Sequence, residues 1–392
     1  MAPTLTSGSG SAPDRLRYRC SAQVLGAGRI RLSGMSAPRF RPALAAIPAY
    51  KAGRPPSPGA QTSYKLSSNE NPYPPLPGVL ERVGDAAGQM NRYPDMGVSA
   101  LHAALGDRLG VDVAQIASGA GSVAVLYHLL QAMCVEGDEV VYAWRSFEAY
   151  PIAVGVTGAS SVQVPVDADG RHDLPAMRAA VTDATKVVIV CTPNNPTGPA
   201  VHRDELISFV EDVPSDVLVV VDEAYREFVT DADTVDGLEL MRGRDNVVVL
   251  RTFSKAYGLA GLRVGYAVGP TAVAEAIRKC SLPFGVSGIA QAAAVASLGA
   301  EPELAQRVKE LVAERERVWA GLRDAGWNIP RPEGNFVWFG LGEATTDFAA
   351  ACGAAGLSVR PFPGEGARVT IGEVEANDRL LVVARSWFVT GD

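Results

Sequence analysis

The stretch Val217-Leu-Val-Val-Val-Asp222-Glu-Ala-Tyr225 decides the fold of this chain. Five consecutive apolar residues without alternation are typical of a strand that is covered on both faces, as in a parallel sheet. Comparable runs occur at Lys186–Val190 and Asn246–Leu250, and shorter ones at Glu139–Tyr142 and Ser161–Val164, with helix-like segments between them. The pattern therefore predicts an α/β fold with a largely parallel central sheet.

The segments on either side of these strands predict further helices and a second, smaller domain. Apolar spacing indicates helices at Leu101–Leu109 and Val123–Met133, before the sheet. After Gly288 the pattern changes to a long charged helix at about Pro302–Ala325, strands near Asn335–Phe339 and Arg368–Ile371, and a helix from about Val374. We predict a large domain over residues 95–290, a small C-terminal domain over 291–392, and an N-terminal arm over 35–94 that forms part of the small domain.

Two regions near the N-terminus are predicted to lack regular secondary structure. Residues 1–34 hold five arginines and one acid among many Ser, Gly and Ala residues. Such a composition also suits a transit peptide, but no amphipathic repeat is evident, and we interpret the segment as a disordered or non-native extension before Met35. The Pro/Gly-rich segment Lys51–Gly78 is predicted to be irregular as well.

The composition argues against several classes of protein. The chain has 392 residues, 47% hydrophobic and 20% charged, which is the balance of an ordinary globular enzyme. A net charge of -7 does not suit a dedicated nucleic-acid binder, and no apolar stretch approaches the roughly 20 residues of a membrane helix. Five scattered cysteines without a CxxC pair indicate a reducing compartment, and the four histidines lack metal-ligand spacing. We expect a cytoplasmic protein with no metal, nucleic-acid or membrane partner.

Four loops bring polar or glycine-rich chemistry to the ends of predicted strands. In parallel α/β sheets, ligands bind beyond the carboxyl ends of the strands. Each loop alone has a plainer interpretation, namely a tight turn, a Pro/Asn turn, a helix N-cap or a surface lysine. The loops contain Gly119-Ala-Gly121-Ser122, Asn194-Asn195-Pro196, Asp222 with Tyr225, and Thr252-Phe-Ser254-Lys255 with Arg263.

One ligand, pyridoxal 5'-phosphate (PLP), explains the four loops together. A partly desolvated lysine is a usable amine nucleophile for its aldehyde, and a carboxylate can hold its pyridine nitrogen protonated. The amide and the phenol suit the ring hydroxyl, while a helix N-terminus and loop donors suit the phosphate. A dinucleotide-binding interpretation of Gly119–Ala124 is weaker, because no acid ends the next strand and Lys255 and Asp222 would have no role.

These residues resemble the fold-type-I PLP enzymes, specifically the class I/II aminotransferases. The subgroup is that of histidinol-phosphate aminotransferases and actinobacterial aromatic (phenylalanine) aminotransferases. The resemblance runs from about Arg39 to the C-terminus, and it implies a large domain with a mostly parallel central sheet plus a smaller α/β domain. It rests on Ser68-Asn-Glu-Asn71, Asn91-Arg-Tyr93-Pro, Asn194-Asn-Pro-Thr-Gly198, Asp222-Glu-Ala-Tyr225, Ser254-Lys255 to Arg263, and Arg368-Val-Thr-Ile-Gly372.

The resemblance implies a role for each residue around the cofactor. Lys255 is the Schiff-base lysine and the acid/base, Asp222 pairs with the pyridinium nitrogen, and Tyr225 contacts the ring oxygen. The remaining cofactor residues are Asn195 at the ring oxygen, Phe147 on the ring face, and Gly121, Ser122, Thr252, Ser254 and Arg263 at the phosphate.

The resemblance also implies a partner subunit and a substrate anchor. Tyr93 matches a tyrosine that reaches the phosphate of the partner subunit, so the expected assembly is a homodimer with a shared active site. Arg368 matches the arginine that grips the substrate α-carboxylate. Arg360 is a weaker candidate for the distal end of the substrate, and Asn69 is a further substrate-binding candidate.

The identity of the substrate divides the subgroup. Phe147 within Trp144–Pro151 resembles the aromatic branch, whereas Asn69–Tyr73 is closer to the histidinol-phosphate form. An aromatic side chain needs an apolar pocket, while a phosphate needs cationic donors, for which Arg145 and Arg360 are candidates. We expect ping-pong transfer from an aromatic amino acid to 2-oxoglutarate, with histidinol-phosphate aminotransferase as the alternative; a decarboxylase of the same fold would be distinguished by release of carbon dioxide.

Overall fold

The apolar runs of the sequence form the centre of one seven-stranded sheet. The computed structural model describes residues 38–50, 53 and 63–388. The strands are β1 (Tyr64–Lys65), β2 (Ile116–Gly119), β3 (Glu139–Trp144), β4 (Ser160–Pro165), β5 (Thr185–Cys191), β6 (Leu218–Asp222), β7 (Val247–Thr252), β8 (Gly265–Val268), β9 (Phe336–Gly340), β10 (Leu357–Ser358), β11 (Arg360–Phe362) and β12 (Gly366–Thr370).

The helices surround these strands and include the long helix and the closing helix that the sequence predicted near the C-terminus. They are α1 (Val79–Ala87), α2 (Ser99–Leu109), α3 (Ser122–Met133), α4 (Ala149–Thr157), α5 (Leu174–Ala179), α6 (Arg203–Asp212), α7 (Gly237–Met241), α8 (Thr271–Cys280), α9 (Gly288–Leu298), α10 (Glu301–Asp324), α11 (Thr345–Ala354) and α12 (Val374–Trp387). Short 3-10 helices lie at Pro42–Ala46, Val113–Gln115, Arg226–Phe228, Ala260–Leu262 and Gly342–Ala344. None of the helices in these described ranges is long and apolar enough to cross a membrane.

The large sheet has the strand order β2-β8-β7-β6-β5-β3-β4. Strands β3 to β7 are parallel, whereas β8 is antiparallel to both of its neighbours. Alternate residues of the central strands enter two separate apolar clusters: Val188 and Val219 enter one, and Ile189 and Val220 enter the other. Both faces of the sheet are therefore covered, which confirms the prediction of a largely parallel, buried sheet.

The register of the central strands sets the position of the loops. Cys191 at the end of β5 pairs with Asp222 at the end of β6, and Asp222 pairs with Leu250 of β7. The side chains that follow these residues therefore leave the sheet at one edge.

The C-terminal part of the chain forms a second, three-stranded antiparallel sheet in the order β11-β12-β9. Arg360 of β11 lies directly opposite Arg368 of β12, and this pairing brings both arginines to the same part of the sheet. Strand β1 pairs with β10, so part of the irregular Lys51–Gly78 segment is a short strand. The prediction for residues 1–34 lies outside the described residues, and the domain boundaries at 95 and 290 stay predictions.

Candidate active site

A cavity opens where β5, β6 and β7 end, and it brings together most of the residues that the sequence singled out. Side chains from the loops after these strands meet others from α3, the loop before α4, β11 and β12. The predicted site residues that line it are Ser122, Phe147, Asn195, Asp222, Tyr225, Thr252, Ser254, Lys255, Arg263, Arg360 and Arg368.

Lys255 projects into this cavity from the loop after β7. Its Nζ donates to the backbone carbonyl oxygens of Ser68 at 3.2 Å and Asn69 at 3.4 Å. Burial, together with the nearby guanidinium of Arg368, lowers the pKa of Lys255 to about 7. A large fraction of the amine is therefore neutral near neutral pH, as a nucleophile or a proton acceptor must be.

Asp222 is buried at the end of β6 and forms no ion pair with a described lysine or arginine. Tyr150 Oη donates to its Oδ2 at 2.8 Å, and the Ala224 backbone N–H donates to Oδ1 at 3.3 Å. The adjacent Glu223, by contrast, is held by Arg251 at 2.7 Å. Burial raises the pKa of Asp222 to about 6, although the Tyr150 hydrogen bond opposes that shift. A buried carboxylate that lacks a cation fits a positively charged ring nitrogen.

Tyr225 lies three residues after Asp222 and is held by Asn69. Asn69 Nδ2 donates to Tyr225 Oη at 2.9 Å, and Asn69 Oδ1 accepts from Thr370 Oγ1 at 3.1 Å. Burial raises the pKa of Tyr225, so its phenol stays protonated. Asn69 does not line the cavity, and its side chain fixes Tyr225; its role as a substrate-binding residue stays a prediction.

Another part of the cavity wall is a cradle of donors around Arg263. Arg263 Nη1 donates to Ser254 Oγ at 3.2 Å, and the Ser254 N–H donates to Thr252 Oγ1 at 3.1 Å. Gly121 has a φ of +85°, and a Cβ at that position would lie 2.3 Å from Arg263 Nη2. Glycine thus allows Arg263 to approach the N-terminus of α3 at Ser122, where free N–H groups favour an anion.

Arg368 occupies the wall of the cavity formed by β12. Its guanidinium donates to Asn195 Oδ1 through Nη1 and to the Ser67 carbonyl oxygen through Nη2 at 2.8 Å. Its buried Nε has no hydrogen-bond partner among the described residues. Since an unpaired buried donor is costly, this guanidinium is suited to a carboxylate that enters the cavity.

The two arginines considered for the distal end of a substrate are both bound to carboxylates. Arg360 Nη2 donates to Glu148 Oε2 at 2.7 Å. Arg145 Nε donates to Glu365 Oε2 at 2.6 Å, and its guanidinium stacks over the Trp144 ring at 4.1 Å. Neither guanidinium therefore faces the cavity as an uncompensated charge.

Two aromatic residues of the predicted site lie in different surroundings. Phe147 lines the cavity and packs edge-on against Tyr150, with 5.6 Å between ring centroids. Tyr93 lies outside the cavity, is 82% exposed, and stacks on Phe284 with 4.6 Å between ring centroids. Its predicted contact with a partner subunit stays a prediction.

A family model described as "Aminotransferase class I and II" matches residues 62–383. The chain belongs to this family. The aromatic amino acid aminotransferase of Streptomyces avermitilis is 59% identical over 89% of this chain and 97% of its own length. That of Thermobifida fusca is 54% identical, over 91% of this chain and 99% of its own. The histidinol-phosphate aminotransferase from Sinorhizobium meliloti, in complex with PLP, superposes with a TM-score of 0.80 at 29% identity, covering 90% of this chain and 99% of that one.

These comparisons confirm the predicted family, the fold-type-I architecture and the PLP cofactor. The described residues of this aminotransferase also fit PLP on their own chemistry. The carboxylate of Asp222 lacks a cation, Lys255 has a lowered pKa, and the cradle at Gly121 and Arg263 suits a phosphate. Each group lies at the same cavity, so one molecule of PLP can engage all of them.

Several residues that line the aminotransferase cavity or contact its lining residues were not assigned from the sequence. Glu148 and Tyr150 stand next to Phe147 in the chain, and their proximity to it was the available signal. The sequence gives no signal for the carbonyl groups of Ser67 and Ser68, because any residue type supplies a backbone carbonyl.

Proposed function

We propose that this aminotransferase moves the amino group of an aromatic amino acid of the phenylalanine type to 2-oxoglutarate, giving an aromatic 2-oxo acid and glutamate. The carrying observation is that Arg360 and Arg145 are each held by a glutamate, while Phe362 lines the cavity. A phosphate-bearing side chain would have to displace a carboxylate, whereas a flat apolar side chain would pack against the ring of Phe362. The names of the relatives support the same substrate class.

The residues on the chain divide the chemistry between them. When bound, PLP supplies an electron-accepting ring that stabilises negative charge at the substrate α-carbon. We propose that Lys255 removes and returns the proton at that carbon, since its amine is substantially neutral near pH 7. Asp222 holds the proton on the pyridine nitrogen, and Tyr225 and Asn195 orient the ring through its oxygen.

Two anchors in the cavity position the reactants. Ser122, Thr252, Ser254 and Arg263, with the close approach at Gly121, hold the phosphate of PLP. Arg368 holds the substrate α-carboxylate, since its buried Nε has no hydrogen-bond partner among the described residues. Fixing both ends brings the α-carbon to Lys255 and lowers the entropic cost of proton transfer.

The proposed assembly is a homodimer in which Tyr93 completes the partner's site. Tyr93 and Phe284 form an exposed aromatic pair, and Leu282 beside them is 72% exposed. Exposed apolar side chains of this size indicate an interaction surface. We also propose a cytoplasmic location, because Cys134, Cys191, Cys280 and Cys352 are free thiols.

A paired steady-state assay tests the proposed substrate. We expect kcat/KM for phenylalanine to exceed that for histidinol phosphate clearly, with PLP added and 2-oxoglutarate as acceptor. A preference for histidinol phosphate would overturn the aromatic assignment. That second candidate is favoured by the structural similarity to the Sinorhizobium meliloti enzyme, and it would require Arg145 or Arg360 to leave its glutamate.

A further inference from the structure

Tyr150 is a buried phenol that the mechanism above does not use. It lies in the first turn of α4, three residues after Phe147, and is fully buried. Its Oη donates to Asp222 Oδ2 at 2.8 Å. Packing fixes its ring, which meets the rings of Phe147 and Tyr142 edge-on, each at 5.6 Å between centroids.

The hydrogen bond from Tyr150 is the only side-chain hydrogen bond to Asp222 within the described ranges. A carboxylate that accepts an O–H hydrogen bond is less basic than one without it. Such a carboxylate takes the proton of a pyridinium less readily, so the positive charge stays on the ring nitrogen. The phenol also fixes the rotation of the carboxyl group about its Cβ–Cγ bond.

We propose that Tyr150 is a positioning residue, which orients the Asp222 carboxylate and keeps its negative charge for the pyridine nitrogen of PLP. This inference rests on the proposed role of Asp222. Tyr150 therefore acts on the cofactor through Asp222 and does not contact the cofactor itself, while its ring packs against Phe147 of the cavity.

None of the other described titratable groups around Asp222 donates a side-chain hydrogen bond that would orient its carboxylate. The titratable groups that face Asp222 are Tyr150 from α4, Cys191 from β5, Lys255 from the loop after β7, and Glu223 and Tyr225 from its own segment. Burial raises the pKa of Cys191 to about 12, so its thiol stays neutral. Burial also raises the pKa of Tyr150, which therefore remains an O–H donor throughout the working pH range.

The test compares Tyr150→Phe with Tyr142→Phe in the full-length chain. Tyr142 is a matched control, because it is equally buried but its phenol contacts Gln163 at 3.1 Å instead of Asp222. PLP is removed from the purified holoenzyme and titrated back at a series of pH values. At acidic pH we expect Tyr150→Phe to bind PLP about tenfold more weakly, because the carboxylate that has lost this donor is protonated more readily and less of it is ionised for the ring nitrogen.

The pH series separates positioning from a merely structural effect. PLP affinity falls as Asp222 becomes protonated, and removal of the Tyr150 donor moves that fall to higher pH. We expect Tyr142→Phe to keep both the affinity and the pH midpoint of the wild-type chain. In steady-state assays of the loaded enzyme, Tyr150→Phe should lower kcat more than it changes KM.

A double-mutant cycle with Asp222→Asn tests whether Tyr150 affects PLP affinity through the Asp222 carboxylate. If Tyr150 acts through the carboxylate, Tyr150→Phe adds no further loss of PLP affinity in the Asp222→Asn chain. An unchanged midpoint in Tyr150→Phe, or additive losses in the cycle, would overturn the proposal. A Tyr150→Phe chain that fails to fold while Tyr142→Phe folds would overturn it too, by assigning the phenol to the fold. Wild-type PLP affinity in Asp222→Asn itself would instead contradict the proposed function.

Discussion

Replacing Arg368 by lysine tests the anchor proposed for the substrate α-carboxylate. Arg368 uses Nη1 and Nη2 within the protein and leaves Nε unpaired in a buried wall. A carboxylate that meets Nε and one Nη receives two parallel hydrogen bonds. A lysine keeps the charge, but its single ammonium group cannot reproduce the planar fork.

The expected loss is that of one charge-assisted hydrogen bond. Such a bond contributes about 2 kcal/mol, which corresponds to roughly a 30-fold decrease in kcat/KM for phenylalanine. The loss should appear chiefly in KM if the contact is equally strong in the ground state and the transition state. Arg145→Lys is the matched control, since that guanidinium is held by Glu365 and should change kcat/KM little.

Two inhibitors separate loss of the anchor from general damage to the site. 3-Phenylpropionate carries the carboxylate, and 3-phenylpropanol has a hydroxyl group in its place. We expect Arg368→Lys to raise the inhibition constant of the acid by a factor similar to its effect on kcat/KM, and to leave that of the alcohol unchanged. Equal weakening of both inhibitors, or wild-type kcat/KM for phenylalanine, would refute the assignment.

Three further predictions follow from the described contacts. Lys255→Ala should abolish transamination and the imine absorbance of the bound cofactor. Lys279 is an exposed lysine paired with Glu275, and Lys279→Ala should retain both properties. Turnover by Lys255→Ala at the wild-type rate would contradict the proposed role. Mixing Tyr93→Ala chains with Lys255→Ala chains should restore activity through hybrid dimers that hold one intact site, and no recovery after proven subunit exchange would argue against a shared site. Burial lowers the pKa of His172 from 6.5 to about 4, so its contribution to the free energy of unfolding is complete above about pH 6.5 and is lost as pH falls toward 4, a change of about 3 kcal/mol. In urea unfolding, the free energy of unfolding of His172→Gln should decline less steeply over that pH range than that of the wild-type chain. An identical decline in both chains would show that His172 is not responsible.

The sequence predicted the sheet and most of the cavity for a physical reason. The central strands are apolar on both faces, so their ends are marked by the first polar residues, such as Asp222 after Val221. Parallel strands then deliver those residues to one edge, and this placement holds without knowledge of the loops. Asn195, Asp222 and Lys255 were located in this way.

The remaining parts depend on contacts that local sequence does not specify. Strand β8 lies antiparallel between β7 and β2. Because it has only four residues, it contains no long apolar run that would predict a strand. Asn69 reaches Tyr225 across 156 residues of chain, and the use of its amide in that contact follows from tertiary packing. The pairing of Arg360 with Glu148 has the same origin, and a role of Arg360 at the distal end of the substrate stays a prediction.

The wide sequence separation of the site contacts has a consequence for synthesis and folding. All seven strands of the large sheet lie between residues 116 and 268, so this sheet has every strand it needs before residues 269–392 have been made. The bonds from Arg368 to Asn195 and Ser67 span 173 and 301 residues, and such long loops close late. A chain that stops before β12 would therefore keep the cradle residues at Ser254 and Arg263 but lack the guanidinium proposed to grip the amino acid. We therefore expect the cofactor residues carried by the large sheet to be in place earlier in synthesis than the arginine proposed to bind the substrate.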